Sequence, residues 1–308
     1  MKDYLKEAGN IHLSYYIEAA DILDIKYEII VHKLLARFEH KGNHWFIINT
    51  VTPLVNSPGK TIAVRKGLTN LILNQAGIPV PEQKILLNEE DAINFWQEHK
   101  NIVVKPEQGI GGKGICILPR EKDRLISAFQ DIRNSRVIGE KYVSGKNYRL
   151  LTLGENVIAT AERLPAKVAG NGKNNIKDLI LNENPKVPLD SETQKVLNDQ
   201  GLSLESIPEA EKVVYLRSNT NLTTGGTTRE CLNELHPYYK EIAAKAIKAV
   251  GLEFGGVDLI AEDITKPGEC AINEINYNPG LRIHYQVDEG EKIKVAIPIM
   301  KYIRDKKI

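Results

Sequence analysis

Four glycines within six residues, flanked on both sides by apolar strand-forming sequence, constrain this chain more than any other feature. The stretch at 101–118 reads NIVVKPEQGIGGKGICIL. Its first part is rich in β-branched residues and ends at Lys105 and Pro106, and apolar character resumes at 115–118. Between them lie Gly109, Gly111, Gly112 and Gly114. The pattern predicts two strands joined by a glycine loop. Such a loop can turn several backbone N–H groups toward one anion, with Lys105 adding a point charge from the strand end.

Other readings of this loop fit less well. Gly109, Gly111 and Gly114 spell G-x-G-x-x-G, but a dinucleotide fingerprint needs a helix next, and here a strand follows. A Walker A loop needs Ser or Thr after its lysine, and Lys113 is followed by Gly114. A protein kinase carries its lysine downstream of the loop, and neither H-R-D nor D-F-G occurs. A hairpin without any ligand stays open on the loop alone.

With 308 residues the chain can build two or three lobes. Lysine plus arginine (41) balance aspartate plus glutamate (40), so a general nucleic-acid or anionic-membrane binder is not expected. Cys116, Cys231 and Cys270 are an odd count spaced far apart, which predicts reduced, buried thiols. The N-terminus has no apolar signal core, and no apolar run approaches the roughly 18 residues of a membrane span. A cytoplasmic protein is the expectation.

Leu13, Ile17 and Ala20 recur at helical spacing, and apolar runs at 27–31, 34–38 and 45–48 follow, the last two joined at Lys41-Gly42-Asn43. This segment, 1–58, is too short for a nucleotide-binding domain and reads as a truncated cap. Beyond Pro58, Thr61 can cap a helix bearing Val64, Leu68, Leu71 and Ile72, with Lys66 off the apolar stripe as a solvated lysine would be. A small α+β lobe is expected over 59–144 and a second over 145–308. In the second, 182–206 is polar and predicts a partly helical surface excursion. NTNLTTGGTT at 219–228 has the composition of a closing loop or of an ordinary connection, and Pro237 opens a helix ended by Gly251.

FGGVDLIA at 254–261 places Asp258 in an apolar run, and AINEIN at 271–276 places Glu274 and Asn276 two residues apart. A period of two sends both side chains to one strand face. Carboxylates there incur a desolvation cost of several kcal/mol unless paired. Oxygen donors of this kind suit magnesium, whereas no Cys/His spacing supports zinc. Ion pairing of Asp258 or Glu274 with an arginine such as Arg163 or Arg282 is the competing reading.

A lysine strand, a glycine hairpin, a glutamate and a terminal acidic pair occur in that order. The chain thereby resembles the ATP-grasp superfamily of carboxylate-amine ligases over about 61–290. Similarity is greatest to the ATP-grasp regions of cyanophycin synthetases and bifunctional glutathione synthetases. It is carried by ERLPAKVAGNGKNNIKDLI at 162–180, NLTTGGTT at 221–228, GVDLIAEDI at 256–264 and NEINYNPGLRIHYQVDEG at 273–290. The resemblance implies an α+β ATP-grasp fold whose two lobes clasp ATP. It implies that Lys66 and Lys105 hold phosphates, that the Gly109 to Gly114 loop covers them, and that Glu140 with Lys141, Tyr142 and Val143 meets adenine. Asp258, Glu274 and Asn276 would ligate Mg2+, or Mn2+ in its place. Arg163 and Arg282 would face the transferred phosphoryl group or the acceptor carboxylate. His284 stands between a structural and a substrate role.

Asn147 occupies a place where these ligases often carry aspartate. The sequence closes at Ile308 without the Mur-ligase-like half of cyanophycin synthetases, so polymer synthesis by this chain alone is not expected. The implied activity is ATP-dependent amide formation between amino acids or a short peptide through an acyl phosphate, without nucleic-acid or membrane partners. A dimer is the commonest closed assembly. A regulatory nucleotide-binding protein and a kinase using the same pocket are the alternatives.

Overall fold

The computed structural model describes residues 2–109, 114–132 and 135–306. Gly111 and Gly112 lie outside them. The chain opens with α1 (Tyr4–Ala8) and α2 (Ile11–Ile22), the latter capped by Asn10, whose side-chain oxygen accepts from the N–H groups of His12 and Leu13. An antiparallel sheet of order β1-β2-β3 follows, made of β1 (Lys26–Val31), β2 (Leu35–His40) and β3 (Asn43–Ile48). The expected helix and three apolar runs are all present. Leu13 and Ile17 of α2 and Phe38 and Ile47 of the sheet share one core with Leu151, Phe254, Ile299 and Ile303 from distant parts of the chain.

The helix expected from Thr61 onward is two helices, α3 (Ser57–Val64) and α4 (Lys66–Gln75). Asn56, not Thr61, caps the first, accepting from Gly59 N–H at 2.7 Å, with Pro58 in the first turn. Thr61 lies inside α3 and its hydroxyl donates to Ser57 O at 2.9 Å. Arg65 is extended (φ −104°, ψ 100°) and breaks the ladder. The Thr69 hydroxyl then donates to Ile62 O at 2.7 Å, a helix-end carbonyl at the break. Because of this break Lys66 begins a helix and is buried, not solvated on a helix side.

Next come β4 (Gln83–Leu86), α5 (Glu89–His99), β5 (Ile102–Pro106), β6 (Cys116–Ile117), α6 (Lys122–Asp131) and β7 (Val137–Lys141). The four strands form an antiparallel sheet of order β4-β7-β5-β6. Phe95 of α5 and Leu125 of α6 pack on Ile102, Val104 and Val137. Asn88 caps α5 by accepting from Asp91 N–H, and Glu89, Glu90 and Asp91 fill its first turn, where the helix dipole favours negative charge.

A long pair, β8 (Lys146–Leu153) and β9 (Asn156–Leu164), leads into β10 (Lys167–Ala169), α7 (Ile176–Glu183), α8 (Ser191–Asp199), β11 (Val213–Tyr215) and β12 (Thr227–Glu230). The chain closes with α9 (Pro237–Ala249), β13 (Phe254–Ala261), β14 (Cys270–Asn276), α10 (Arg282–Tyr285) and α11 (Ala296–Lys306). β8, β13 and β14 are successive neighbours in an antiparallel sheet. Tyr239, Ile242, Ala246 and Ile247 of α9 pack on Leu150, Val257, Leu259 and Ile272. Burying each large apolar side chain contributes roughly 1.5–3 kcal/mol, so this layer can offset placing charged groups on the same strands.

Two compact units divide the chain. The first comprises Met1–Gln108, Gly114–Ala161 and Glu230–Ile308; the second comprises Gly109–Lys113 and Glu162–Arg229. β9 carries the chain into the second unit and β12 brings it back. The second unit has its own core, in which Val168 and Val214 of the β10-β11 pair meet Ile176, Ile180, Val187 and Leu197. The stretch at 182–206 is therefore partly helical but not merely superficial, since Val187, Thr193 and Leu197 are buried. Among the described residues no helix is long and apolar enough to cross a membrane. Cys116 and Cys231 are buried and Cys270 is half-buried.

Candidate active site

Strand register places the acidic residues. In the β13-β14 ladder Asp258 stands opposite Glu274 and Gly256 opposite Asn276, with a bulge after Asp258. On the other side of β13, Asp258 stands opposite Arg149 of β8. Arg149 closes a two-pronged ion pair on Asp258, its Nε donating to Oδ1 and its Nη2 to Oδ2, the latter at 3.1 Å. Gly256 leaves the room for this, since a Cβ there would lie 2.8 Å from Arg149 Cδ. Pairing of the acidic residues with an arginine, the competing expectation, is present at Asp258, and the arginine there is Arg149.

Two lysines from the N-terminal half join the group. Lys105, 3% exposed at the end of β5, donates to Glu140 Oε2 at 2.6 Å and to Asn273 Oδ1 at 3.1 Å. Asn273 is the neighbour of Glu274 on β14, so Lys105 reaches the edge of the acidic pair. Glu140 Oε1 in turn accepts from Gln83 Nε2 at 2.6 Å. Lys66 N–H donates to Glu107 O at 3.3 Å. Burial holds the Lys66 ammonium below its usual range, against the attraction of Glu274, Glu140 and Glu107 and with repulsion from Lys105. Burial and the charge of Asp258 push the Glu274 carboxyl up, against the opposing pull of Lys66, Arg149 and Lys105.

The raised Glu274 makes stability fall as pH rises. Its folded form binds protons more tightly than the unfolded chain, so its contribution is complete below the ordinary glutamate range and is lost as pH climbs through the elevated value. We expect thermal scans of the metal-free protein to show a fall in Tm with rising pH that is shallower in Glu274→Gln. Equal slopes in both proteins would contradict the placement of that carboxyl.

The donor chemistry suits a hard divalent cation. Asp258, Glu274 and Asn276 can each present an oxygen, and the Asn276 side-chain nitrogen is buried without a hydrogen-bond partner among the described residues. An asparagine amide can present its oxygen or its nitrogen, so this end is available to be turned toward a ligand.

The structure brings Lys66, Lys105, Glu140, Asp258 and Glu274 into one mutually interacting group in the first unit. Lys141, Tyr142 and Val143 instead line a cavity of about 850 Å3, with Pro81, Tyr238 and Cys270. Glu140 is not part of that lining. Arg282 is exposed on α10, and its charge acts on His12, whose imidazole burial and Arg282 together hold below its usual value. His284 is completely buried, with Nδ1 3.8 Å from Glu230 Oε2. Gly114 adopts the left-handed backbone expected of a loop glycine (φ +72°). Gly109 and Arg163 belong to the second unit. There Arg229 pairs with buried Glu162 at 2.8 Å, and Arg217 pairs with Asp190 at 2.6 Å and Glu192 at 2.5 Å.

Sequence reasoning missed Arg149, Asn273 and Gln83. Each is recognisable only once the strands are paired, because its partner lies 57 to 168 residues away.

A family model described as the ATP-grasp domain matches residues 63–279. The chain is 32% identical over 289 residues to a cyanophycin synthetase of Trichormus variabilis, covering 87% of this chain and 32% of that protein. It is 34% identical over 263 residues to a bifunctional glutathione biosynthesis protein of Clostridium perfringens, covering 78% of this chain and 34% of that one. The chain thus spans about a third of the length of these curated relatives. Among solved structures, a bifunctional glutathione synthetase from Pasteurella multocida superposes with a TM-score of 0.72 at 25% identity, covering 97% of this chain and 45% of that one. A D-alanine–D-alanine ligase from Bacillus anthracis shares the fold alone, with a TM-score of 0.50 at 18% identity, covering 82% of this chain and 72% of that one.

Proposed function

Because this chain belongs to the ATP-grasp domain family, with an α+β fold of that type, we propose that it is an ATP-dependent carboxylate-amine ligase. Its substrates are amino acids or a short peptide. A substrate carboxylate takes the γ-phosphoryl group of ATP, leaving ADP, and an amine then displaces phosphate from the acyl phosphate to form an amide. The observation that carries the reading is the convergence of buried Lys66 and Lys105 with the cross-strand pair Asp258 and Glu274. Two desolvated cations beside two desolvated carboxylates form an arrangement that a metal–triphosphate complex completes.

Asp258, Glu274 and Asn276 would hold Mg2+, or Mn2+, which supplies charge neutralisation at the phosphoryl oxygens. Lys105 is held by Glu140 and Asn273, so its ammonium is fixed before the nucleotide arrives, and Lys66 offers a second cation from the start of α4. Phosphoryl transfer asks little covalent chemistry of a protein, and positioning with charge stabilisation accounts for most of the rate. Arg149 orients Asp258 by contacting both of its carboxylate oxygens. The sequence-based roles of Arg163 and Arg282 toward a phosphoryl group or acceptor carboxylate are tested separately by lysine substitution, which keeps the charge but loses the two-pronged geometry. A cytoplasmic setting and a homodimer are what we expect.

The test is ADP release screened over pairs of amino acids and short peptides, with the products weighed. Release that requires both a carboxylate and an amine, with an amide of the combined mass less water, is expected. A phosphorylated product without amine would make the protein a kinase. Nucleotide binding without turnover on any pair would make it a regulatory binder.

A further inference from the structure

A second group of metal-ligating side chains lies in the first unit, where the end of α5 meets the start of β4. His99 is the last residue of α5, Glu98 precedes it, and Glu82 is the residue before β4. One donor atom from each of the three lies within 4.8 Å of the other two, the one such group among the described residues. His99 Nε2 is 3.5 Å from Glu82 Oε1 and 3.9 Å from Glu98 Oε2. The His99 side chain is only 9% exposed, and its Nε2 is buried with no hydrogen-bond partner although it faces two carboxylates. Leaving such a nitrogen unsatisfied is costly. At Zn–N and Zn–O bonds of about 2.0–2.1 Å, tetrahedral ligands stand about 3.3–3.4 Å apart, so the His99–Glu82 edge is already close to what a metal needs and the His99–Glu98 edge must close by about half an ångström. The site also sits at a helix C-terminus, where the backbone dipole favours a cation.

We infer that Glu82, Glu98 and His99 form a binding site for a divalent transition metal, with solvent completing its coordination. One imidazole and two carboxylates suit Zn2+, Co2+ or Mn2+, whereas Mg2+ prefers an all-oxygen octahedron. The site is separate from the Asp258–Glu274 pair and does not depend on the ligase reading. Occupancy ties the end of α5 to the start of β4. Glu82 O accepts from Lys141 N–H at 2.9 Å, and the next residue, Gln83, holds Glu140. The metal therefore stiffens the strand pair that carries Glu140.

Titration with Co2+, followed by its visible absorption in the presence of excess Mg2+, tests this. The wild type and Glu274→Gln are expected to show one saturable site, and His99→Gln to bind at least about tenfold more weakly with its circular dichroism unchanged. The Glu82→Gln/Glu98→Gln double variant is expected to weaken binding similarly. Co2+ is expected to raise the Tm of the wild type and not that of His99→Gln. Equal Co2+ affinity in His99→Gln and wild type, loss of the signal in Glu274→Gln, or no saturation below about 1 mM would overturn the assignment.

Discussion

Glu274→Gln is expected to give a folded protein that forms amide at least about a hundredfold more slowly than the wild type. The substitution keeps the shape of the side chain and removes the charge that, with Asp258, faces Lys66 and Lys105. Loss of that carboxylate weakens metal binding and the neutralisation of the transferred phosphoryl group together, so kcat falls and not KM alone. Stability moves the other way. In the metal-free protein Glu274 is a buried carboxyl beside a like charge, so its removal relieves repulsion and Tm is unchanged or higher. Steady-state kinetics with saturating Mg2+ and a thermal scan read both effects. Near-normal turnover would remove Glu274 from the metal site, and a large drop in Tm would make its role structural.

Arg149→Met is expected to destabilise the first unit by about 3–5 kcal/mol, the usual cost of leaving one member of a buried ion pair unmatched. Arg149 spans both oxygens of Asp258, and Gly256 makes the space for it. In the variant Asp258 and Glu274 face each other without their nearest guanidinium. Adding Glu274→Gln to Arg149→Met should therefore recover part of the lost stability, because the two residues couple through Asp258. Denaturant unfolding at one pH measures the three variants. An effect below about 1 kcal/mol for Arg149→Met would show the pair to behave like a solvated surface bridge.

The acidic pair was legible in the sequence because Asp258 and Glu274 sit in apolar runs joined by a short connection. A local period of two then fixes the face of each side chain. Arg149 was not legible. Its identity as the partner of Asp258 follows from the register of β8 on β13, and register depends on pairing between segments 109 residues apart. Lys66 was misplaced by periodicity because Arg65 interrupts the helix, and the nearby glycine, Gly67, lies past the break inside α4. The separate packing of 162–229 was also hidden, since its polar sequence conceals a small core at Val168, Ile180 and Leu197. The strands of the first half and the capped start of α5 were readable from local chemistry alone, whereas the ATP-grasp fold was implied by the family resemblance. Of the glycine loop, Gly111 and Gly112 fall outside the described residues, and the buried lysines and carboxylates are the part of the site that the structure describes.

In the proposed ligase Lys105 and Glu274 act on one and the same triphosphate. A double-mutant cycle of MgATP binding, measured by calorimetry on the wild type, Lys105→Met, Glu274→Gln and the double variant, addresses it directly. The two losses are predicted to be non-additive, with an interaction energy above about 0.5 kcal/mol. Losses that add within error, or unchanged MgATP affinity in either single variant, would contradict it.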